Sequence, residues 1–299
     1  KRCGIEFILN GVRTSNRKIL ASKVFCKLSS MKVFLWNGIF GVAFILAFNP
    51  VCADHWVYQD SERSPSQKTA LIIMNGFGGS KSACKAQFAF WKEQGMDVFI
   101  PEVLLRPSLE SSSVAMEEFI AEYGITEYAE VRSICYIAGA FLLHTYLESH
   151  ALPNLRYVIY DRSPIQERAP QAVMTAIPVL GTWMKGKVLK DLSEAVWPAP
   201  IVSPSVITGL SIENRATGLM RWLQDEAEAL GPFEFDWKKI DSNASDAFHV
   251  ALDHDMMYTR WDILGAPFLY FFEHGIFPEN VSRERLTDHP FDKHQPIPE

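Results

Sequence analysis

Six short apolar runs alternate with helical patterns along this chain, and that alternation limits the fold more than any other feature. TALIIMNGF, MDVFIPE, VRSICYI, LRYVIYD, SVITGL and AFHVALD read as strands, rich in Val, Ile and Tyr. Between them KSACKAQFAFWKEQG, SSVAMEEFIAEYG, AGAFLLHTYLESH and ATGLMRWLQDEAEAL carry apolar residues at helical spacing. Strands buried on both faces need a cover on each, and a strand returns parallel only through a crossover. The pattern therefore predicts an α/β fold, a mostly parallel sheet with helices on both faces. One connection breaks the rhythm. From about Arg162 to Pro204 the chain is rich in Pro, amphipathic and aromatic, and it is too long for an ordinary link. It is expected to form a helical lid inserted over the sheet.

The first 53 residues read differently from the rest. Met31 opens MKVFLWNGIFGVAFILAFNPVCADHW: a positive start, an apolar run from Val33 to Phe48, a break at Asn49-Pro50 and small residues before Asp54. That order predicts a signal peptide over 31–53, cleaved after Ala53, and a secreted or periplasmic protein. The alternative is a membrane anchor, although the run is short of the ~20 apolar residues a spanning helix needs. Membrane contact is expected only through this segment, if it is kept. Residues 1–30 are basic and precede Met31, and they are read as an upstream tail outside the fold. Residues 54–299 form the expected domain.

Charge narrows the partners. Of the 29 basic and 35 acidic residues, eight and one lie in residues 1–53, which leaves 21 basic and 34 acidic, a net −13. A nucleic-acid backbone asks for clustered cations, so no nucleic-acid partner is expected. Cysteines outside that leader number two, Cys84 and Cys135, both read as buried thiols. His, Asp and Glu show no metal-ligand spacing and no phosphate-binding loop is present, so no metal and no cofactor is expected. Asn243 and Asn280 head glycosylation sequons.

Three stretches, in order, bear on chemistry. NGFGGS, Asn75 to Ser80, follows the first buried strand. Cys135-Tyr136-Ile137-Ala138-Gly139 joins a strand to a helix with small residues two places before and two places after Ile137. HVALDHDMMY places His254 just past the last strand, with His249 as its competitor at the strand's start, at the other end of the sheet. Together they resemble the α/β-hydrolase superfamily of esterases and lipases, over roughly Leu71 to Phe272. The resemblance implies a glycine loop whose Phe77 or Gly78 N–H, with that of Ala138, receives an oxyanion. It implies a nucleophile elbow at Ile137 and a catalytic histidine at His254. The acid it implies is Glu213, after SVITGL, with Asp161 as runner-up. Asp253 and Asp255 are read as solvated or capping groups.

The elbow, however, carries isoleucine where the family carries serine. A hydrocarbon side chain cannot attack an ester. The reading is therefore an exported, non-catalytic or atypical relative of esterases and lipases that keeps a pocket for a small acyl or lipid-like ligand. One alternative is an active ester or lipid hydrolase with a displaced nucleophile, Ser163 or Ser80. Another is an envelope interaction protein that uses the aromatic lid.

Overall fold

A computed structural model describes residues 55–196 and 205–295. The expected signal peptide lies outside the described residues, as does the end of the expected lid.

Seven strands form one sheet: β1 (Trp56–Tyr58), β2 (Thr69–Met74), β3 (Asp97–Ile100), β4 (Glu130–Cys135), β5 (Leu155–Arg162), β6 (Ile207–Glu213) and β7 (Asp246–Val250). Their spatial order is β1-β3-β2-β4-β5-β6-β7, with β1 antiparallel at one edge and every other neighbouring pair parallel. The strands β2, β3 and β7 are buried almost throughout, as an internal parallel sheet requires.

Period two sorts the residues of β2 between two cores. Ala70, Ile72 and Met74 join one, with Met116 and Phe119 of α2 (Leu109–Glu122) and Leu142 and Leu143 of α3 (Ile137–Ser149). Leu71 and Ile73 join the other, with Trp91 of α1 (Lys81–Trp91) and Trp261, Phe268 and Phe272 of α11 (Trp261–His274). Helices thus cover both faces, as the alternation predicts. The pattern read as one helix over ATGLMRWLQDEAEAL breaks into α7 (Gly218–Trp222) and α8 (Gln224–Ala229), and a single turn, α9 (Trp237–Ile240), follows.

Between β5 and β6 stand three short helices, α4 (Ala169–Ala176), α5 (Pro178–Lys185) and α6 (Lys187–Glu194). Prolines start α4 and α5 at positions where no helical N–H is lost. Gly186, at φ 87°, divides α5 from α6, and a β-carbon there would meet the Arg106 carbonyl. Arg106 in turn donates to the carbonyls of Trp183 and Met184, and the Leu109 N–H donates to Asp191 at 3.0 Å. The insert is therefore tied to the segment after β3. Among the described residues, no helix is long and apolar enough to cross a membrane.

The strand order reverses direction between β2 and β4, because β3 lies on one side of β2 and β4 and β5 on the other. In an open parallel sheet the crevice beyond the carboxyl ends at such a switch point is where ligands bind. Here it is flanked by the loop Asn75 to Ser80 and by the turn at Tyr136-Ile137.

Candidate active site

The turn after β4 comes first. Tyr136 is the residue before α3 and has extended backbone, φ −82° and ψ 158°, and Ile137 is the first helical residue. This is a relaxed strand-to-helix junction. The close approach that small residues serve is nonetheless present: a β-carbon on Gly139 would lie 2.0 Å from the Met74 carbonyl oxygen. Only glycine lets α3 rest on the end of β2 in this way.

The ends of β5, β6 and β7 lie side by side, so their terminal residues converge. Asp161 is the penultimate residue of β5 and Glu213 the last of β6, and His254 opens the single turn α10 (His254–Met257) after β7. His254 Nδ1 is 2.6 Å from Glu213 Oε1 and 3.2 Å from Asp161 Oδ2. The two acids weighed against each other from the sequence both face the same ring nitrogen. Only the Glu213 contact has hydrogen-bond alignment; the Asp161 oxygens and Glu213 Oε2 are buried without a hydrogen-bond partner.

The charges and the burial both act on protonation here. Burial works against a charged imidazole, but Glu213 and Asp161 outweigh it and hold the His254 pKa well above its ordinary value. Burial, then the Asp161 charge, pushes Glu213 well above the carboxylate range, so the cluster tends to bind protons. Donor atoms of Asp161, Glu213 and His254 lie within 4.8 Å of one another. They form the one set of possible metal ligands among the described residues, although Nδ1 and Glu213 are already engaged with each other. Sequence spacing did not reveal this set, because its members come from three strand ends.

The outward nitrogen of the histidine has an unexpected partner. His254 Nε2 is 3.2 Å from the Tyr258 hydroxyl, four residues on along the same helical face. Tyr258 is buried, and its ring stacks on Tyr136 with centroids 4.0 Å apart and planes 11° apart. The hydroxyl lies so near Gly76 that a β-carbon there would come within 3.2 Å of it, and the ring so near Gly78 that one there would come within 2.4 Å. Burial lifts the Tyr258 phenol well above its ordinary pKa, which makes it a poor nucleophile. The i, i+4 spacing of His254 and Tyr258 was the signal available for this contact.

His249 requires a correction. It was expected at the start of its strand, at the other end of the sheet. It is the fourth of five residues of β7, buried, with Nδ1 2.9 Å from the Asn214 amide nitrogen beside Glu213. The extra residues in HVALD are not all strand, so β7 ends sooner than the apolar run. Asn214 donates to Ile212 and accepts from the Leu286 N–H, so His249 Nδ1 must accept and the ring is neutral. Burial lowers its pKa to about 4. Asp253 caps α10 by accepting from the Met256 N–H, and Asp255 is exposed.

Above the switch point lies a cavity of about 730 Å³. Its walls include Phe77, Ile137, Ala138, Phe141 and His254 from the sheet side and Lys185 and Leu192 from the insert. None of its described lining residues is Ser, Thr or Cys. Ser163 is buried, its hydroxyl accepting from the Gln166 N–H, and Ser80 caps α1. Cys135 is buried beside Ser133, and burial pushes its thiol up to about 12.

No protein-family model matches the chain, and no curated protein does. Solved structures that resemble it include alpha/beta hydrolase enzymes, a lipase and bromoperoxidases. Bacillus licheniformis lipase BlEst2 in its mature form is 12% identical with a TM-score of 0.48, the match covering 74% of this chain and 97% of that one. Est1E from Butyrivibrio proteoclasticus is 8% identical with a TM-score of 0.48, covering 74% and 93%. A bromoperoxidase from Bacillus anthracis is 9% identical with a TM-score of 0.46, covering 73% and 94%. The fold itself is a seven-stranded, mostly parallel sheet with helices on both faces. The activities in those names remain those proteins' own.

Proposed function

We propose that this chain holds a small acyl or lipid-like ligand on an α/β-hydrolase-type frame and performs no serine-hydrolase chemistry. One observation carries the reading: the nitrogen of His254 that would activate a nucleophile is bonded instead to the Tyr258 hydroxyl. Two others support it. Ile137 stands at the start of α3, and the cavity lining offers no hydroxyl or thiol nucleophile. A fluorophosphonate probe and a short-chain p-nitrophenyl ester test it. The expected result is neither labelling nor turnover. A label mapped to Ser163, Ser80 or any other serine would overturn it.

Export belongs to the same proposal and rests on the segment 31–53. N-terminal sequencing of protein secreted by its host should begin at or near Asp54, and intact protein recovered from the cytoplasm would count against export. A second reading, a contact surface on the insert, is favoured by Val179 and Trp183 of α5, which are 83% and 67% exposed. Sedimentation of the full chain beside Trp183→Ser weighs it: self-association lost in the variant supports a contact face, and identical monomeric profiles leave the cavity as the functional feature.

A further inference from the structure

The cavity has a polar end as well as an apolar one, and its cations are not equivalent. Arg162 is paired with Glu167 at 2.6 Å. Arg168 spends its guanidinium on the carbonyls of Ala227, Gly231 and Pro232. Lys239 lies within ion-pair distance of Glu234 and Asp236, at 3.5 and 3.6 Å. His254 is committed to Glu213 and Asp161. Lys185, at the end of α5, is different. Its ammonium lies 5.4 Å from the centroid of the Phe77 ring, and no ion pair within 4 Å or hydrogen bond engages it among the described residues. The acid whose charge it feels is Asp255, exposed and beyond ion-pair distance, while Arg106 acts against it. Burial lowers the Lys185 pKa, the mark of an ammonium held partly out of water without full compensation.

We infer that the cavity binds an amphipathic monoanion, its anionic head on the Lys185 ammonium beside Phe77 and its apolar tail along Ile137, Phe141, Leu192, Leu219 and Leu230. The inference rests on the reading of a ligand-holding cavity without serine chemistry and specifies what that cavity takes. A volume of about 730 Å³ lies within the ~300–1,000 Å³ usual for small-ligand pockets. One uncommitted cation answers one negative charge. A dianion would leave a second charge facing Glu167, Glu234 and Asp255, which share the lining. A neutral ligand would leave Lys185 desolvated with nothing in return. Carboxylate is the head that fits best: it is singly charged at neutral pH and accepts charge-assisted hydrogen bonds from an ammonium.

Isothermal titration calorimetry on the full chain tests this with dodecanoate and dodecan-1-ol, both kept below aggregation. Dodecanoate should bind at least about tenfold more tightly, the scale of one charged hydrogen bond. Lys185→Met should reduce dodecanoate to the level of the alcohol and leave the alcohol unchanged. Lys185→Arg should keep the preference, and so should Lys239→Met, whose charge is already paired. Dodecyl phosphate as its dianion should bind more weakly than dodecanoate. Equal binding of acid and alcohol, or a Lys185→Met variant that loses both equally, overturns the anionic head but leaves the ligand-holding cavity standing. Binding of neither overturns both. Fluorophosphonate labelling, by contrast, reports on the nucleophile alone and leaves the Lys185 result to stand or fall by itself.

Discussion

His254 gathers on one imidazole two carboxylates and a phenol, and its titration should be visible in the stability of the whole protein. Its folded pKa lies well above the unfolded value of 6.5. Between the two, the folded state binds more protons than the unfolded, so the stabilisation is full below pH 6.5 and is lost as pH rises toward the folded value. His249 has the opposite sign. Its folded pKa of about 4 lies below 6.5, so its contribution is full above pH 6.5 and is lost as pH falls toward 4. Thermal melts from pH 4 to 9 should show His254→Gln closing the gap to wild type on the alkaline limb, and His249→Gln doing so on the acid limb. Differences that do not change with pH would sink this assignment. The acids beneath His254 should not be interchangeable, because only Glu213 makes the aligned bond. Glu213→Gln is expected to lower the His254 pKa, read by NMR, more than Asp161→Asn.

At the scale of elements, the fold depends on a few points where backbone meets backbone. Gly139→Ala would drive a methyl group into the Met74 carbonyl and lift α3 from β2. Neither neighbour is a flexible side-chain tip, so a loss of at least about 3 kcal/mol in urea unfolding is expected, at the top of the overpacking range. The inserted helices depend on Arg106 instead. Arg106→Ala should speed amide exchange in α5 and α6 while leaving β4 and β5 protected; uniform change across the sheet would refute a local clamp. Much of this level was legible in the sequence. Runs of Val and Ile divided by helical periods place the strands, and the Pro-rich stretch marks where the alternation stops. The end of β7 was misjudged because an apolar run reports burial, not hydrogen bonding, so Leu252 is buried though it lies past the strand.

In the whole molecule, the site at the carboxyl ends of the strands is balanced by a buried ion pair at their starts. Lys68 and Asp97 pair there, and Asp97 also accepts from the Tyr128 hydroxyl at 2.6 Å and the Asp60 N–H at 2.9 Å. Lys68→Met leaves a buried carboxylate without its cation and should cost about 3–5 kcal/mol of global stability by denaturant unfolding, with ligand affinity at the far end unchanged. Convergence on His254 was legible only in part. Parallel neighbours bring Asp161, Glu213 and His254 together whatever lies between them in the chain, so each could be named as a candidate. Which acid faces the ring, and that Tyr258 blocks its far side, depends on side-chain packing that strand patterns do not encode. The stacked Tyr258 also bears on how this chain can evolve. A serine at position 137 would find the outward nitrogen of its histidine already bonded to the Tyr258 hydroxyl, and a smaller residue at position 258 would free a histidine with Ile137 before it. If the proposed reading holds, neither step is rewarded without the other, so selection for hydrolysis from random single substitutions should return nothing, and a gain of catalysis takes at least two changes.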